Sequence, residues 1–281
     1  MKKSFLGLLL LVLCSCSTDN GGSDEPNGNS SGTLLKSFKK ITSGALEFQI
    51  NYEYDSKGNI VKSSQDYSYG KKDVITYSYD SNGDLTSFEQ VTTDPFGDVT
   101  TEINNFNYQN GMVVKICQEI THPDGPSSFD YPEVDKIDFA YDSFGNVELF
   151  THYFPEEAEF NDCDDVDSID ATESLEYDSN GNMIRYQNSE YFFTPTYLKY
   201  AYDNTNHPYA SVKPKAFRSL LGFSTVNNIS KAEEYNADTD ELIGTVTFNY
   251  ELNNQNYPTK LSRTYTAGST SQSLVFEYSY Y

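Results

Sequence analysis

The sequence is short of basic residues, cysteine, histidine and long hydrophobic runs, and it has no tryptophan. Its 19 Lys and Arg stand against 42 Asp and Glu, which gives a formal net charge of -23. A protein that binds nucleic acid needs a basic footprint to displace counterions, and no such cluster occurs here. We therefore expect no nucleic-acid partner.

Cysteine is scarce, with four residues in 281. Two of them, Cys14 and Cys16, lie near the start of the chain, and the other two are Cys117 and Cys163. A single pair cannot make a disulfide framework in a chain of this length. In an oxidising compartment Cys117 and Cys163 could pair, and a buried unpaired thiol at Cys117 is the alternative.

The one sustained apolar run stands at the N-terminus, from Phe5 to Leu13, behind Lys2 and Lys3. A basic leader followed by a short apolar stretch is typical of a secretory signal peptide. The run is too short to span a membrane, since a helix needs about 20 apolar residues for that. We expect residues 1–15 to be removed on export, which changes the formal charge from -23 to -25 because two lysines and no acids are lost.

The residues Leu13-Cys14-Ser15-Cys16 resemble the lipobox of bacterial lipoproteins, in which the cysteine thiol receives a diacylglycerol before cleavage. We expect Cys16 to be the lipid attachment site. Cys14 is the alternative, although the leucine before it is bulkier than the usual pattern allows. The lipid would then be the contact between this acidic protein and a membrane, and several acyl chains on one cysteine hold firmly.

Residues 16–33 form a polar stretch of Ser, Thr, Asp, Asn, Gly and Pro that cannot bury a core. We interpret this stretch as a flexible tether. Asp19, Asp24 and Glu25 resemble the acidic export signals of Bacteroidota surface lipoproteins. The expected location is therefore the cell outer membrane, lipid-anchored and surface-exposed.

A six-residue phrase recurs in the remaining chain, residues 34–281. Tyr54-Asp55-Ser56-Lys57-Gly58-Asn59 returns with Asp80 and Gly83, with Asp142 and Gly145, and with Asp178 and Gly181. The aspartate can bond nearby backbone amides and the glycine can take positive φ. Each phrase therefore predicts a three-residue hairpin loop with a glycine bulge.

The segments around these turns alternate apolar and polar residues, as in Phe48, Ile50, Tyr52 and Tyr54. A period of two indicates strands with one apolar face. We predict an all-β fold, a long antiparallel meander of roughly a dozen or more strands that curls or closes into a barrel-like single sheet. A short helix is expected near residues 214–221, after Pro214, and this segment and the acidic loop 154–172 are expected at one end of the sheet.

The repeated phrase is similar to the YD repeat of RHS-type proteins. The lipobox, the segment from Tyr202-Asp203-Asn204 to Pro208, Leu221-Gly222-Phe223, Tyr257-Pro258-Thr259-Lys260 and the closing Tyr278-Ser279-Tyr280 resemble more closely a family of Bacteroidota lipoproteins of unknown function. That resemblance implies a porin-like β fold and carries no catalytic residues.

Three groups of residues are candidates for a chemical site. Asp162, Asp164, Asp165 and Asp167 could hold calcium, but they lack EF-hand spacing and a solvated acidic loop is the alternative. Glu156, Glu157 and Glu159 could include the general acid of a glycosidase. That role is defined by the distance to a second carboxylate in the folded protein. The three histidines at positions 122, 152 and 207 show no metal-ligand spacing, so we expect no metal and no cofactor.

Tyrosine is abundant, with 24 residues, and a row of exposed rings would suit a glycan or a protein partner. The alternative is that these rings form the hidden face of the sheet. The sequence favours a non-enzymatic, lipid-anchored scaffold that binds a glycan or a protein. The competing hypotheses are a glycan-processing hydrolase and a lipidated outer-membrane β-barrel.

Overall fold

The computed structural model describes residues 33–121, 134–153, 163, 168–189, 195–209 and 227–281. These residues form sixteen β-strands, and the described part of the chain contains no α-helix. The expected helix near 214–221 lies outside the described residues. The strands are β1 Leu35–Thr42, β2 Ala45–Tyr54, β3 Ile60–Tyr67, β4 Lys72–Tyr79, β5 Leu85–Thr93, β6 Val99–Gln109, β7 Met112–Thr121, β8 Val134–Tyr141, β9 Val147–Tyr153, β10 Ile169–Tyr177, β11 Met183–Asn188, β12 Thr196–Asn206, β13 Asn227–Asn236, β14 Leu242–Leu252, β15 Pro258–Ala267 and β16 Thr270–Tyr280.

The sixteen strands form one closed antiparallel barrel in which each strand pairs with its neighbours in the chain. The first and last strands close it, with Phe38 opposite Tyr278 and Lys40 opposite Phe276. The predicted meander and its barrel-like curvature are confirmed. Closure leaves no free strand edge, which removes the usual template for edge-to-edge aggregation.

The four repeated phrases each form the turn of a hairpin. In the first, the Asp55 amide donates to the Asn59 carbonyl oxygen at 2.9 Å and the Gly58 amide donates to the Asp55 carbonyl oxygen at 3.1 Å. One carboxylate oxygen of Asp55 accepts the amides of Lys57 and Asn59. The glycine is in the left-handed region in all four turns, at Gly58 (φ 85°), Gly83 (93°), Gly145 (79°) and Gly181 (80°).

The same hairpin turn also occurs where the sequence lacks the full phrase. Residues 94–98 make it with Asp94 and Gly97 but with no preceding tyrosine, and residues 253–257 make it with Asn253 in place of aspartate and Asn256 at φ 62°. By contrast, the related segment Tyr108-Gln109-Asn110-Gly111 contains a two-residue turn, Asn110-Gly111, between β6 and β7. The turn chemistry is therefore more general than the tyrosine-aspartate phrase that revealed it.

The barrel has two unlike ends. We call the edge where even-numbered strands lead into odd-numbered ones the tyrosine rim, because all four repeated phrases lie there, together with the start of β1 and the end of β16. We call the opposite edge the polar rim. The β9–β10 connection leaves from the polar rim and the β12–β13 connection from the tyrosine rim. The acidic loop and the segment near 214–221, which were expected at one end of the sheet, lie largely outside the described residues, and the strands that flank them end at opposite rims.

A ring of tyrosine hydroxyls ties the tyrosine rim together. Each even-numbered strand carries, near its end, a tyrosine whose hydroxyl donates to a backbone carbonyl near the start of the preceding odd-numbered strand. The eight bonds, 2.6–2.9 Å long, are Tyr54 to Leu35, Tyr79 to Ile60, Tyr108 to Leu85, Tyr141 to Val113, Tyr177 to Val147, Tyr202 to Met183, Tyr250 to Ile229 and Tyr280 to Pro258.

Removing one of these hydroxyls should weaken the barrel by a single hydrogen bond. We expect Tyr141→Phe to lower the free energy of unfolding by about 1 kcal/mol, because the carbonyl of Val113, a residue only 2% exposed, loses its donor. Urea unfolding followed by circular dichroism measures the change. Tyr69→Phe is the control, since this ring is 59% exposed, and it should leave the midpoint unchanged. Equal effects of the two variants would contradict the structural role of the ring.

Candidate functional site

The face of the sheet that carries Tyr52 is the inner face of the barrel. Tyr52, Phe106 and Tyr186 are between 5% and 8% exposed, and no second layer covers the sheet among the described residues. Most of the buried rings therefore lie on the concave side, since the convex face of a closed barrel remains open to water. The position of Tyr209, just after β12, supports this assignment. Its hydroxyl lies 2.5 Å from that of Tyr52 on β2, six strands away around the barrel, so the two rings meet inside it.

The outer face of the described strands is hydrophilic, with two of its ion pairs near the tyrosine rim. Ion pairs join Lys62 to Glu53 at 3.7 Å and Lys260 to Glu251 at 3.0 Å. Other exposed outward residues are Thr76, Glu89, Asn107, Glu176, Lys199, Thr247, Asn249 and Glu277. A barrel embedded in lipid carries an apolar outward band about 25 Å tall, and these charged side chains stand where that band would be. In the described part of the chain, no helix is long and apolar enough to cross a membrane.

The half of the inner face next to the tyrosine rim is a packed apolar core. Seven of the eight residues that accept the tyrosine hydroxyl bonds are almost wholly buried there, including Leu35, Ile60 and Leu85 at 0% exposure and Met183 at 1%, whereas Ile229 is partly exposed. Tyr77 lies beside them, and burial raises the pKa of its phenol to about 12. At this end the tyrosines are therefore structural.

The half next to the polar rim is lined by polar side chains that occupy inward positions of the same strands. Four of them are buried: Asp73 is 3% exposed, Gln90 7%, Asn104 5% and Glu173 5%. Others, such as Gln118, are partly exposed. Partly exposed aromatic rings share this inner face, among them Tyr67, Phe150 and Tyr265. Aromatic faces combined with placed polar groups are the usual lining of a ligand site.

A cluster of acids around one histidine is the most unusual feature of this polar half. His152 on β9 and Glu173 on β10 form an ion pair, with Nε2 3.1 Å from Oε1 and both side chains largely buried. Asp135 on β8 is close enough to Glu102 on β6, to Asp170 on β10 and to His152 for their charges to act on its carboxyl. Asn104 on β6 pairs with Gln118 on β7, and Gln118 pairs with Asp135 on β8, so these inward positions lie side by side. The cluster can accept donors and can take up protons.

Asp135 has the most perturbed carboxyl of the cluster. Burial is the main cause that raises its pKa to about 6, the negative charges of Asp170 and Glu102 add to the rise, and His152 partly opposes it. Because this folded-state pKa exceeds the unfolded value of about 3.9, the folded protein binds the proton more tightly. The charged carboxylate therefore destabilises the barrel above pH 7, and this penalty shrinks as the pH falls from about 6 towards the unfolded pKa.

We expect the free energy of unfolding of the unaltered protein to rise by about 1 kcal/mol when the pH is lowered from 7.5 to 5. This rise is measured relative to Asp135→Asn, which has no titrating group at this position. Urea titrations of both proteins at a series of pH values measure the difference. Parallel pH profiles for the two proteins would show that Asp135 titrates normally.

The sequence-predicted sites fall in different parts of the chain. The structure joins Cys117 and Cys163 by a disulfide, with Cα atoms 5.8 Å apart. Cys117 is on the outward side of β7, since it lies opposite Asn105 and Lys136. The repeated aspartates Asp55, Asp80, Asp142 and Asp178 bond their own turn amides. Outside the described residues lie Cys14, Cys16, the calcium candidates Asp162, Asp164, Asp165 and Asp167, and the three glutamates at 156, 157 and 159.

The described residues contain no group of three or more His, Cys, Asp or Glu arranged to hold a metal ion. Most tyrosines of the repeats lie inside, as the structural interpretation held. Tyr197 and Tyr235 are exceptions on the outer face, where their rings stack 5.1 Å apart between the charged groups of Arg185 and Lys199. The two rings and the two charged groups of this stack therefore contact one another.

Sequence reasoning missed the acid and histidine cluster, whose members come from different strands. A signal did exist. In Ile169–Tyr177 the buried positions alternate as Ala171, Glu173 and Leu175, so the period of two places a glutamate in an apolar row. A charged residue at such a position is rarely buried without a partner.

Comparison with known proteins supports the fold alone. No family model matches the sequence, and no curated protein matches it. Among solved structures, the chain is similar to a porin-like protein from Bacteroides uniformis ATCC 8492, with a TM-score of 0.55 and 13% identity over 88% of this chain and 96% of that one. A porin-like protein from Bacteroides vulgatus ATCC 8482 aligns with a TM-score of 0.44 and 14% identity over 89% of this chain and 99% of that one. The chain thus shares a closed β-barrel architecture with a porin-like protein of Bacteroides.

Proposed function

We propose that this chain is a lipid-anchored, non-enzymatic scaffold of the cell envelope, whose barrel stands in water and binds a glycan at the polar half of its inner face. The observation that supports the proposal best is the polarity of the barrel, hydrophilic outside and aromatic inside. A protein inserted in lipid through its strands would need the reverse. The lipid on Cys16 would then be the membrane contact.

The position of the N-terminus supports an orientation for the bound ligand. β1 starts at Leu35 on the tyrosine rim, so a tether on Cys16 holds that rim towards the membrane. Residues 16–33 reach about 60 Å at most when extended. The polar rim faces away from the anchor, where an extracellular glycan can reach it.

The inner face of the polar half offers what sugar recognition requires. Sugar rings stack their apolar faces on aromatic side chains, and their hydroxyls bond carboxylates and amides. Tyr67 and Phe150 supply partly exposed rings, and Asp135 and Gln118 supply partly exposed polar groups. The resemblance of the repeats to Bacteroidota lipoproteins agrees with an envelope role.

Cell fractionation tests the anchor. Full-length protein should sediment with membranes, and Cys16→Ala should move to the soluble fraction because the outer face of the described strands is polar rather than an apolar band. Cys14→Ala is the matched control and should stay membrane-bound. Retention of Cys16→Ala in membranes after a carbonate wash would support the membrane-embedded barrel instead.

A glycan panel tests the activity. We expect the purified protein to retain at least one glycan without altering it, as measured by glycan array and by chromatography of the recovered sugar. Cleavage of the bound glycan would overturn the non-enzymatic assignment in favour of the hydrolase. Failure to retain any glycan would overturn the binding assignment.

A further inference from the structure

A buried acceptor without a donor lies within the acid and histidine cluster. Glu173 is 5% exposed, its Oε1 lies 3.1 Å from His152 Nε2, and its Oε2 has no hydrogen-bond partner. A buried carboxylate oxygen without a donor is destabilising, and native proteins rarely leave one unsatisfied. His152 Nε2 also has no hydrogen-bond partner, so its contact does not satisfy the carboxylate. The arrangement therefore points to a donor from outside the chain.

The surroundings of Glu173 are negative. His152, the neighbour of Glu173 and the one basic group in this cluster, also acts electrostatically on Asp135, whose other charged neighbours are the acids Asp170 and Glu102. The lysine nearest in sequence, Lys136, faces outward, where its Nζ lies 4.0 Å from the centre of the Tyr153 ring. Among the described inner-face residues of β6–β10, no lysine or arginine offsets these acids. A cationic donor fits this environment better than a neutral one.

An aromatic ring borders the same acceptor. Phe150 pairs directly with Glu173 across β9 and β10, and its ring packs edge-on against Phe139 at a centroid distance of 5.0 Å. Phe150 and Asp135 are both partly exposed, so the cluster has an accessible side above its buried base. A carboxylate beside a ring face suits an ammonium group carried on a sugar ring.

We infer that the polar half of the inner face selects amine-bearing glycans, with the sugar ammonium donating to Glu173 and the sugar face lying on Phe150. This inference rests on the proposed function and specifies the ligand class of the same site. The step is binding alone, with no bond made or broken.

Two probes of equal length separate charge from sugar shape. Calorimetry at about pH 6.5, where amino-sugar amines carry charge, compares a glucosamine tetramer with the N-acetylglucosamine tetramer. We expect the glucosamine tetramer to bind at least about tenfold more tightly, and Glu173→Gln to weaken that binding about tenfold. Glu176→Gln, an exposed outward position on the same strand paired with Arg185, removes the same charge and should leave binding unchanged.

The possible results test the preference for amine-bearing glycans separately from glycan binding itself. Equal binding of the two tetramers, or binding of neutral glycans alone, would overturn the inference and leave the glycan-binding function standing. Equal losses from Glu173→Gln and Glu176→Gln would also overturn it, because diffuse attraction to an acidic protein would then explain the affinity. No binding of any glycan would overturn both. If Glu173→Gln fails to fold, the salt dependence decides: the preference of the unaltered protein for the glucosamine tetramer should persist at about 0.5 M salt, where diffuse attraction is screened, and its loss there would overturn the inference.

Discussion

Replacing Phe106 by alanine is expected to lower the free energy of unfolding by about 3–5 kcal/mol. Phe106 is 8% exposed on the inner face, and its ring centroid lies 5.9 Å from that of Phe88 on the adjacent strand. Truncating a buried phenylalanine removes its transfer free energy and leaves a cavity that neighbours fill only in part. Such a loss is a large share of the stability of most domains. Urea unfolding followed by circular dichroism measures it.

The next residue along the strand is the matched control. Asn107 is exposed on the outer face, so Asn107→Ala should change the free energy of unfolding by no more than about 0.5 kcal/mol. The two substitutions differ by one position in β6 and by the face on which the side chain lies. Comparable losses from both would contradict the assignment of inner and outer faces.

Removing the disulfide is expected to have the second largest effect. The bond between Cys117 and Cys163 closes a loop with a sequence separation of 46 residues and attaches the β9–β10 connection to the outside of β7. A cross-link of this length restricts the unfolded chain and typically contributes about 2–4 kcal/mol. We therefore expect the double variant Cys117→Ser, Cys163→Ser to unfold at clearly lower urea concentration.

Reduction provides the control for this variant. Treating the unaltered protein with a reductant should lower its midpoint to that of the double variant, and the double variant itself should not respond. If the unaltered protein and the double variant unfold at the same urea concentration before reduction, the bond contributes nothing to stability. Mass spectrometry of unreduced peptides would show whether the two cysteines are joined.

The hairpins were predictable because their information is local. An aspartate, a glycine three residues later and alternating flanks determine turn and strand within about ten residues, as at Asp55 and Gly58. The count of sixteen strands was less accessible. Turns such as residues 253–257 use asparagine in both special positions, so the same geometry arises from a different sequence.

Closure and the candidate site depend on contacts that local patterns do not contain. Nothing near Phe38 in the sequence identifies Tyr278 as its partner, because that pairing follows from the accumulated twist of fourteen intervening strands. The pair formed by His152 and Glu173 likewise depends on the register of two strands whose connection is long. The sequence does show which polar residues occupy inward positions between apolar ones. Which of these residues contact each other depends on the register between strands.

Labelling of single cysteines on the two faces tests the central claim, that the aromatic face lies inside a hydrophilic barrel wall. The substitutions are Thr76→Cys and Thr247→Cys on the outer face, and Tyr77→Cys and Val246→Cys on the inner face of the same strands. In envelope preparations, a membrane-impermeant maleimide should label the first pair quickly and the second pair slowly or not at all. Protection of the outer pair together with rapid labelling of the inner pair would contradict the account.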